Sequence, residues 1–334
     1  MRSGAFLKWV EAVMLIGVLV FPAAVLAADI TLKLGHENPP GTPYDVAAIK
    51  FAERAAANTK GKVEVKIFNN SQFGGPVEHW AQLKGGAIDL HVTDAGAVNM
   101  IEAEPKNFMI TIAPYLFESQ AQMRAFARSD LIKTMMAKVE KASNLKYLGY
   151  IGDRAPRGFS TTSRRVTAPD DIKGLKLRVP QLPLFVATYK AWGANPTPVI
   201  VKEIYTSLKS GMVDGLDWDI LSIYTAKYYE IQKYYTAIDW MRSGMGLFVN
   251  AKKWDSFPED VKKAFTVSVQ ETETYVNDWT AKSIGEAESA FKAAGLEVIH
   301  PDLKPWKEPA ERDLLQNEGK VWEAGLYSKI KAVK

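Results

Sequence analysis

The sequence predicts an α/β protein of two lobes joined by a hinge, with a cleft between the lobes and one long helix bridging both. Three observations predict this. Strand and helix patterns alternate from Ile30 to Ile151, and alternate again from Thr167 to Asn250. Such repeats with short connections argue for parallel or mixed sheets covered by helices. A helical pattern opens at Pro258 and runs to about Ala294, with apolar residues at 261, 264, 265, 275, 279, 287, 291 and 294. At 1.5 Å per residue it would be about 55 Å long, more than one small domain is wide. Finally, 334 residues, 47% apolar and 24% charged, are enough for two globular domains of ordinary composition.

The first 27 residues stand apart from this fold. Arg2 and Lys8 give a basic start, Ala12 to Leu26 is mostly apolar, and Val25-Leu26-Ala27 precedes Ala28 as an acceptable cleavage site. The apolar run is short for a membrane span, and the whole reads as a secretory signal peptide. Its loss removes two cations and one acid and lowers the formal charge from +4 to +3. No later stretch stays apolar for 18 residues, so the mature chain is expected to be exported, not embedded in a membrane, and free in a bacterial periplasm. With no cysteine there is no disulfide, thiolate metal site, Cys nucleophile or lipidated N-terminal Cys. The small net charge, without a long basic run, speaks against a nucleic-acid partner.

In the first run, Ile30–Leu34, Val63–Ile67, Ile88–Val92 and Tyr147–Ile151 read as strands. Helical spacing falls between them at Tyr44–Asn58, Pro76–Leu83 and Gln120–Ala142. The second run begins with Thr167-Ala168-Pro169-Asp170-Asp171, a cap followed by Pro and two acids in a first helical turn. Lys173-Gly174-Leu175-Lys176-Leu177-Arg178-Val179-Pro180 then turns at Gly174 and alternates as a half-buried strand. Helices at Pro183–Trp192 and Lys202–Lys209, and strands at Thr197–Val199, Val213–Asp217 and Gly246–Asn250, complete the run. Helix resumes near Ile220. Leu296–Ile299 is a last strand and Glu308–Lys331 a last helix. The first lobe is expected to hold 28–154, with about 244–283 returning to it. The second is expected to hold 155–243, with about 284–334 returning.

Enzyme signatures are absent: there is no GxGxxG, GxxxxGK[ST], HExxH, GxSxG or EF-hand loop. His36, His79, His91 and His300 are dispersed without metal spacing and read as surface or loop residues. Glu37, Asp94, Asp217 and Asp219 each fall near the carboxyl end of a predicted strand, where they could share a cleft, as hydrolytic carboxylates do, or act as helix caps. Arg178 sits near the carboxyl end of its strand, where open α/β sheets bind ligands. Its fork could clamp a carboxylate bidentately or serve in a structural salt bridge. Arg157 follows an earlier strand, and two arginines at strand ends favour an anionic ligand.

At this point the residues resemble those of a known family, the extracytoplasmic solute-binding proteins of TRAP transporters, DctP type. Gly61-Lys62-Val63 with Asn70-Ser71-Gln72-Phe73-Gly74, Pro114-Tyr115-Leu116-Phe117, Asp171-Ile172-Lys173-Gly174-Leu175-Lys176-Leu177-Arg178-Val179, Gly193-Ala194-Asn195-Pro196-Thr197-Pro198 and Val213-Asp214-Gly215 carry the resemblance, in order, from Ala28 to about Lys329. The resemblance implies the two-lobed periplasmic binding protein fold. It implies a protein that is not an enzyme, uses no cofactor or metal, and captures a small organic acid for the small and large membrane permease subunits. The chain is expected to act as a monomer. Position by position, Arg178 matches the arginine that bridges the ligand carboxylate, and Arg157 a second arginine supporting it. Glu37 and Asp94 match positions that touch the far end of the ligand in some members. The chain departs from the family after Val213-Asp214-Gly215, where the usual Glu-Asn-Pro is replaced by Asp217-Trp218-Asp219. Trp218 stands in place of an Asn that meets the carboxylate and offers a flat apolar wall. A 2-oxo-acid-binding branch is similar in having an acid then Trp, and it holds a cation there. That branch tends to carry Gln where Arg157 stands, and a cation beside Arg157 is disfavoured. Asp217 is therefore expected to face the ligand site without a metal. Two alternatives remain at this stage: a receptor for another uptake or sensory system, and a periplasmic hydrolase using the acids.

Overall fold

The computed structural model describes residues 28–103 and 106–334; the expected signal peptide lies outside the described residues. The strands are β1 (Ile30–Gly35), β2 (Val63–Phe68), β3 (Leu90–Asp94), β4 (Leu145–Asp153), β5 (Arg157–Thr161), β6 (Lys176–Val179), β7 (Asn195–Pro198), β8 (Gly215–Asp219), β9 (Tyr234–Met241), β10 (Gly244–Asn250) and β11 (Glu297–Ile299). They form two mixed sheets, one ordered β2-β1-β3-β10-β4 and the other β11-β9-β5-β8-β6-β7. In the first, β10 runs antiparallel to both β3 and β4. In the second, β5 runs antiparallel to both β8 and β9. Each sheet lies in its own lobe.

The chain crosses between the sheets through Arg154–Pro156, between β4 and β5, and again through Arg242 and Ser243, between β9 and β10. The Arg154 backbone N–H donates to the Ser243 carbonyl at 3.2 Å, tying the two crossings together. The third crossing is the helix Glu259–Ala293, 35 residues long. Glu259 and Asp260 lie in its first turn, where acids suit the helix dipole. Gly295, at φ +79°, follows its end. The first half buries Val261, Phe265, Val269 and Val276 in the core of the first sheet. Further on, Ala287 and Phe291 belong to the core of the second. At the crossing itself, the Asp153 N–H donates to Asn277 Oδ1 at 2.8 Å and Thr280 donates to the Asp153 carbonyl at 3.2 Å. Gly152 makes this approach possible. Its φ is +145°, and a Cβ there would lie 2.3 Å from Val276 Cγ1.

Several expectations differ from the structure. The single helix expected over 120–142 is two helices, Gln120–Arg128 and Asp130–Ser143. Ser129 divides them, since its hydroxyl accepts from the Ile132 N–H and donates to the Phe126 carbonyl, ending one helix while capping the next. The last helix likewise divides into Lys304–Leu315 and Leu326–Lys331, with Gly319 and Gly325 at positive φ between them. β5, and β9 with its β-forming Tyr234, Tyr235, Thr236, Ile238 and Trp240, were not among the expected strands. The helix Lys304–Leu315 packs against the helix Pro183–Ala191 and β9. The tail beyond it crosses back, where the Lys106 N–H donates to the Val321 carbonyl and Gln122 donates to the Lys331 and Val333 carbonyls.

Candidate functional site

The two sheets present strand ends to a common cleft. β1 ends at Gly35 and delivers Glu37 two residues later, and β3 ends on Asp94. From the other sheet, β6 and β8 run parallel and bring Arg178 beside Leu216. β5 runs antiparallel to β8, which sets its first residue, Arg157, against Asp219, the last of β8. This antiparallel register places two arginines from strands of opposite direction at one end of the sheet. Glu37, Asp94, Arg157, Arg178 and Trp218 all line the resulting cavity, along with Tyr44, Arg154 and Phe185. Asp217 does not line it; it lies fully buried behind Arg157.

The two arginines differ in what holds them. Arg157 donates through Nε to the Asp217 carboxylate, at 3.1 and 3.3 Å, and through Nη2 to the same carboxylate and to the Asp217 carbonyl. Asp217 also accepts from the Tyr189 hydroxyl and the Trp240 indole N–H, each at 3.0 Å. That carboxylate is saturated. Arg178 is 3% exposed, and its Nε donates to the Val199 carbonyl at 2.8 Å. Nη1 reaches only the Asp217 backbone carbonyl, at 3.5 Å. Among the described residues Arg178 has no carboxylate partner. Burial, and then the nearby charge of Arg157, pull its pKa down to about 10, so the cation pays for desolvation without a counter-charge. The Trp218 ring lies 5.8 Å from the guanidinium carbon and also packs in the core with Leu216 and Tyr228, so it is both wall and core.

The acids are also engaged. Arg154, from the first crossing, donates to Asp219 Oδ2 at 2.6 Å and Asp94 Oδ2 at 3.2 Å, joining the two sheets. Asp219 further accepts from the Ser222 N–H and hydroxyl, capping a short helix, and Asp94 accepts from the Ser243 hydroxyl. Arg154 is the cleft residue that the sequence reasoning passed over. It follows β4 directly, the same signal by which Arg157 was noticed. Phe185, whose ring lies 5.0 Å from the Arg157 guanidinium carbon, carries no local signal at all.

The expectation of surface or loop positions fails for His79, on the helix Pro76–Gly85, and for His91, on β3; His36 does lie in the loop after β1, and the His300 side chain is 67% exposed. His36, His79 and His91 are fully buried. His36 pairs with Asp45 at 3.2 Å. His79 and His91 stack at 5.2 Å between ring centroids and face Glu37 Oε1 at 3.8 and 3.6 Å. They are far apart in sequence, and the sheet brings them together. Among the described residues no group of three or more His, Cys, Asp or Glu is placed to hold a metal ion.

Two α/β lobes, the chain crossings between them and a strand-end cleft with an uncompensated buried cation define a two-lobed solute-binding protein. The chain belongs to the bacterial extracellular solute-binding proteins, family 7 (DctP), which it matches over residues 34–318, the TRAP-type family that the sequence resembles. It is 29% identical to the C4-dicarboxylate-binding periplasmic protein DctP of Rhodobacter capsulatus, covering 84% of this chain and 83% of that one. It is 28% identical to the 2,3-diketo-L-gulonate-binding periplasmic protein YiaO of Escherichia coli, covering 86% of each. Among solved structures, a TRAP periplasmic solute-binding protein of Xanthobacter autotrophicus with bound β-D-galacturonate superposes with a TM-score of 0.81 at 26% identity, over 91% of this chain and all of that one.

Proposed function

We propose that the protein is the periplasmic receptor of a TRAP transporter, and that it captures a small organic carboxylate on Arg178 and delivers it to the membrane permease subunits. The observation that carries this reading is the buried Arg178 guanidinium without a carboxylate partner. A bidentate carboxylate supplies the missing counter-charge and the remaining acceptors. Arg157, held rigid by Asp217, lines the same cavity and lends its field to the same anion. The lobes are 28–154 with about 244–283, and 155–243 with the chain from about 284; the tail, expected with the second lobe, lies instead against Lys106 and Gln122 of the first. The ligand drives closure about the crossings by binding the closed state better than the open one. Each of the three named relatives is named for a carboxylic acid it binds, which supports the substrate class. The acids that could have formed a hydrolytic pair, Asp94, Asp217 and Asp219, are all neutralised by arginine, which favours binding over catalysis. The chain acts as a monomer, after export by its N-terminal segment.

A thermal-shift screen against organic acids tests this. A ligand at a thousand times its Kd stabilises the fold by about 4 kcal/mol. Wild-type protein responds to one or more carboxylates and Arg178→Ala does not; an equal response from that variant overturns the clamp.

A further inference from the structure

Resting on that reading, we infer that the wall of the cleft opposite Arg178 is built to receive hydroxyl groups and not a second charge, so the solute is a hydroxylated monocarboxylic acid. Glu37 lines the cleft, and at first sight its carboxylate would attract an ammonium group. Its surroundings say otherwise. His91 Nδ1 lies 2.9 Å from the Gly35 carbonyl and His79 Nδ1 lies 3.0 Å from the Gly75 carbonyl. A carbonyl only accepts, so each Nδ1 carries the hydrogen. In the neutral ring each Nε2 is then a bare lone pair. Both Nε2 atoms are buried without a partner, and so is Glu37 Oε1. His91 Nε2 faces Glu37 Oε1 at 3.6 Å.

Two buried acceptors aimed at one another, with no donor between them, are reconciled by one shared proton. Whichever atom carries it, the Glu37–His91 pair has no net charge. Burial places it on the acid, since desolvation raises the Glu37 pKa against the opposing pull of His79, and desolvation, with His79 next, lowers that of His91 to about 3.

The rest of that wall carries no free charge either. Asp94 is committed to Arg154 and Ser243, and Arg154 is committed to Asp94 and Asp219. Asn38, Tyr44 and Thr93 add neutral polar groups, and Pro76, Ala97, Met100 and Ile112 fill the space between them. A second carboxylate on the solute finds no unpaired cation there, and an ammonium finds no unpaired anion. A hydroxyl finds carbonyl-type and hydroxyl oxygens there, among apolar neighbours and without an unpaired charge. Glu37 is therefore a specificity-determining residue, and His91, which shares its proton, is the positioning residue beside it.

The test uses calorimetry on the full mature chain with four probes: D-erythronate and the longer L-galactonate as hydroxylated monoacids, succinate as the diacid, and L-homoserine as the amino acid. A hydroxylated monoacid is expected to bind at least tenfold more tightly than succinate or homoserine. Glu37→Ala is expected to weaken it tenfold or more, and the neutral Glu37→Gln to recover most of that loss. Tighter binding of succinate or homoserine, or no binding of either hydroxylated acid, overturns the inference with no variant needed. A loss in Glu37→Gln as deep as in Glu37→Ala also overturns it, because a charged carboxylate is then required. Arg178→Ala separates the two readings. If succinate binds best and binding vanishes in Arg178→Ala, the carboxylate clamp stands and only the neutral wall fails.

Discussion

The two walls of the cleft solve the same problem in opposite ways. On the second sheet, ionisable groups stay ionised. Asp217 and Arg157 form a tight buried pair whose spare lone pairs are taken by Tyr189 and Trp240, and Arg178 beside them keeps a charge that nothing in the described protein balances. On the first sheet the charge is removed by a proton shared between Glu37 and His91. A buried charge is tolerable when paired, and a buried acid is tolerable when neutral. The leftover cation is then the one feature of the cleft that a solute must answer, and the neutral wall is what it must not offend.

The largest blow to this contrast comes from Asp217→Ala. It strands the Arg157 cation and leaves two buried donors unsatisfied, and should cost about 3–5 kcal/mol of folding stability, measured by urea unfolding. A loss under about 1 kcal/mol would mean that the pair is not a buried unit. Arg178→Ala should behave in the opposite way. Removing an unbalanced buried cation should leave the ligand-free stability equal or higher, while carboxylate affinity falls by about 2–5 kcal/mol in calorimetry; a variant that unfolds more easily without ligand would show that Arg178 is structural.

The histidine wall is sharpened by pH. The His91 pKa falls from 6.5 in the unfolded chain to about 3 in the fold. Its contribution is therefore present above pH 6.5 and drains away as pH falls toward 3, by about 1.4 kcal/mol per pH unit. Glu37, with its pKa raised above 4.5, has the reverse sign. Its stabilising contribution is present below pH 4.5 and is lost as pH rises through the folded value. Chemical denaturation of His91→Gln between pH 6.5 and 4 should give a shallower slope than wild type, and identical slopes would remove His91 from this account. The smallest effect belongs to Trp218→Phe. It trims the aromatic face beside Arg178, and about 0.5–1 kcal/mol of cation–π attraction is at stake. Calorimetry should show a few-fold change in carboxylate affinity at most, and a hundredfold change would make Trp218 a direct ligand contact.

Much of the architecture was legible before any coordinates. The helix Glu259–Ala293 was visible as a run of apolar residues at helical spacing from Pro258, because a 3.6-residue period survives whatever the partner. Arg178 was visible because Leu175, Leu177 and Val179 alternate around it. β9 was missed although its residues favour strands, since a strand in the interior of a sheet needs no clean alternation. The Ser129 break was missed because a capping serine inside a helical pattern looks like any other polar position. His79 and His91 read as surface or loop residues because nothing in their local sequence reports that Gly75 and Gly35 offer them carbonyls.

The sequence by itself determined the alternation of strands and helices, the long bridging helix, the arginine at the end of β6 and the family to which these belong. All of these are short-range patterns, written within a few turns or strands of chain. Only the tertiary structure decided which charges are spent. Asp217 lies 60 residues from Arg157 and 39 from Arg178, and the sequence ranks neither arginine above the other as its partner. The antiparallel register of β5 against β8 gives the carboxylate to Arg157, and burial then leaves Arg178 largely desolvated at the cleft, with a charge the protein does not balance.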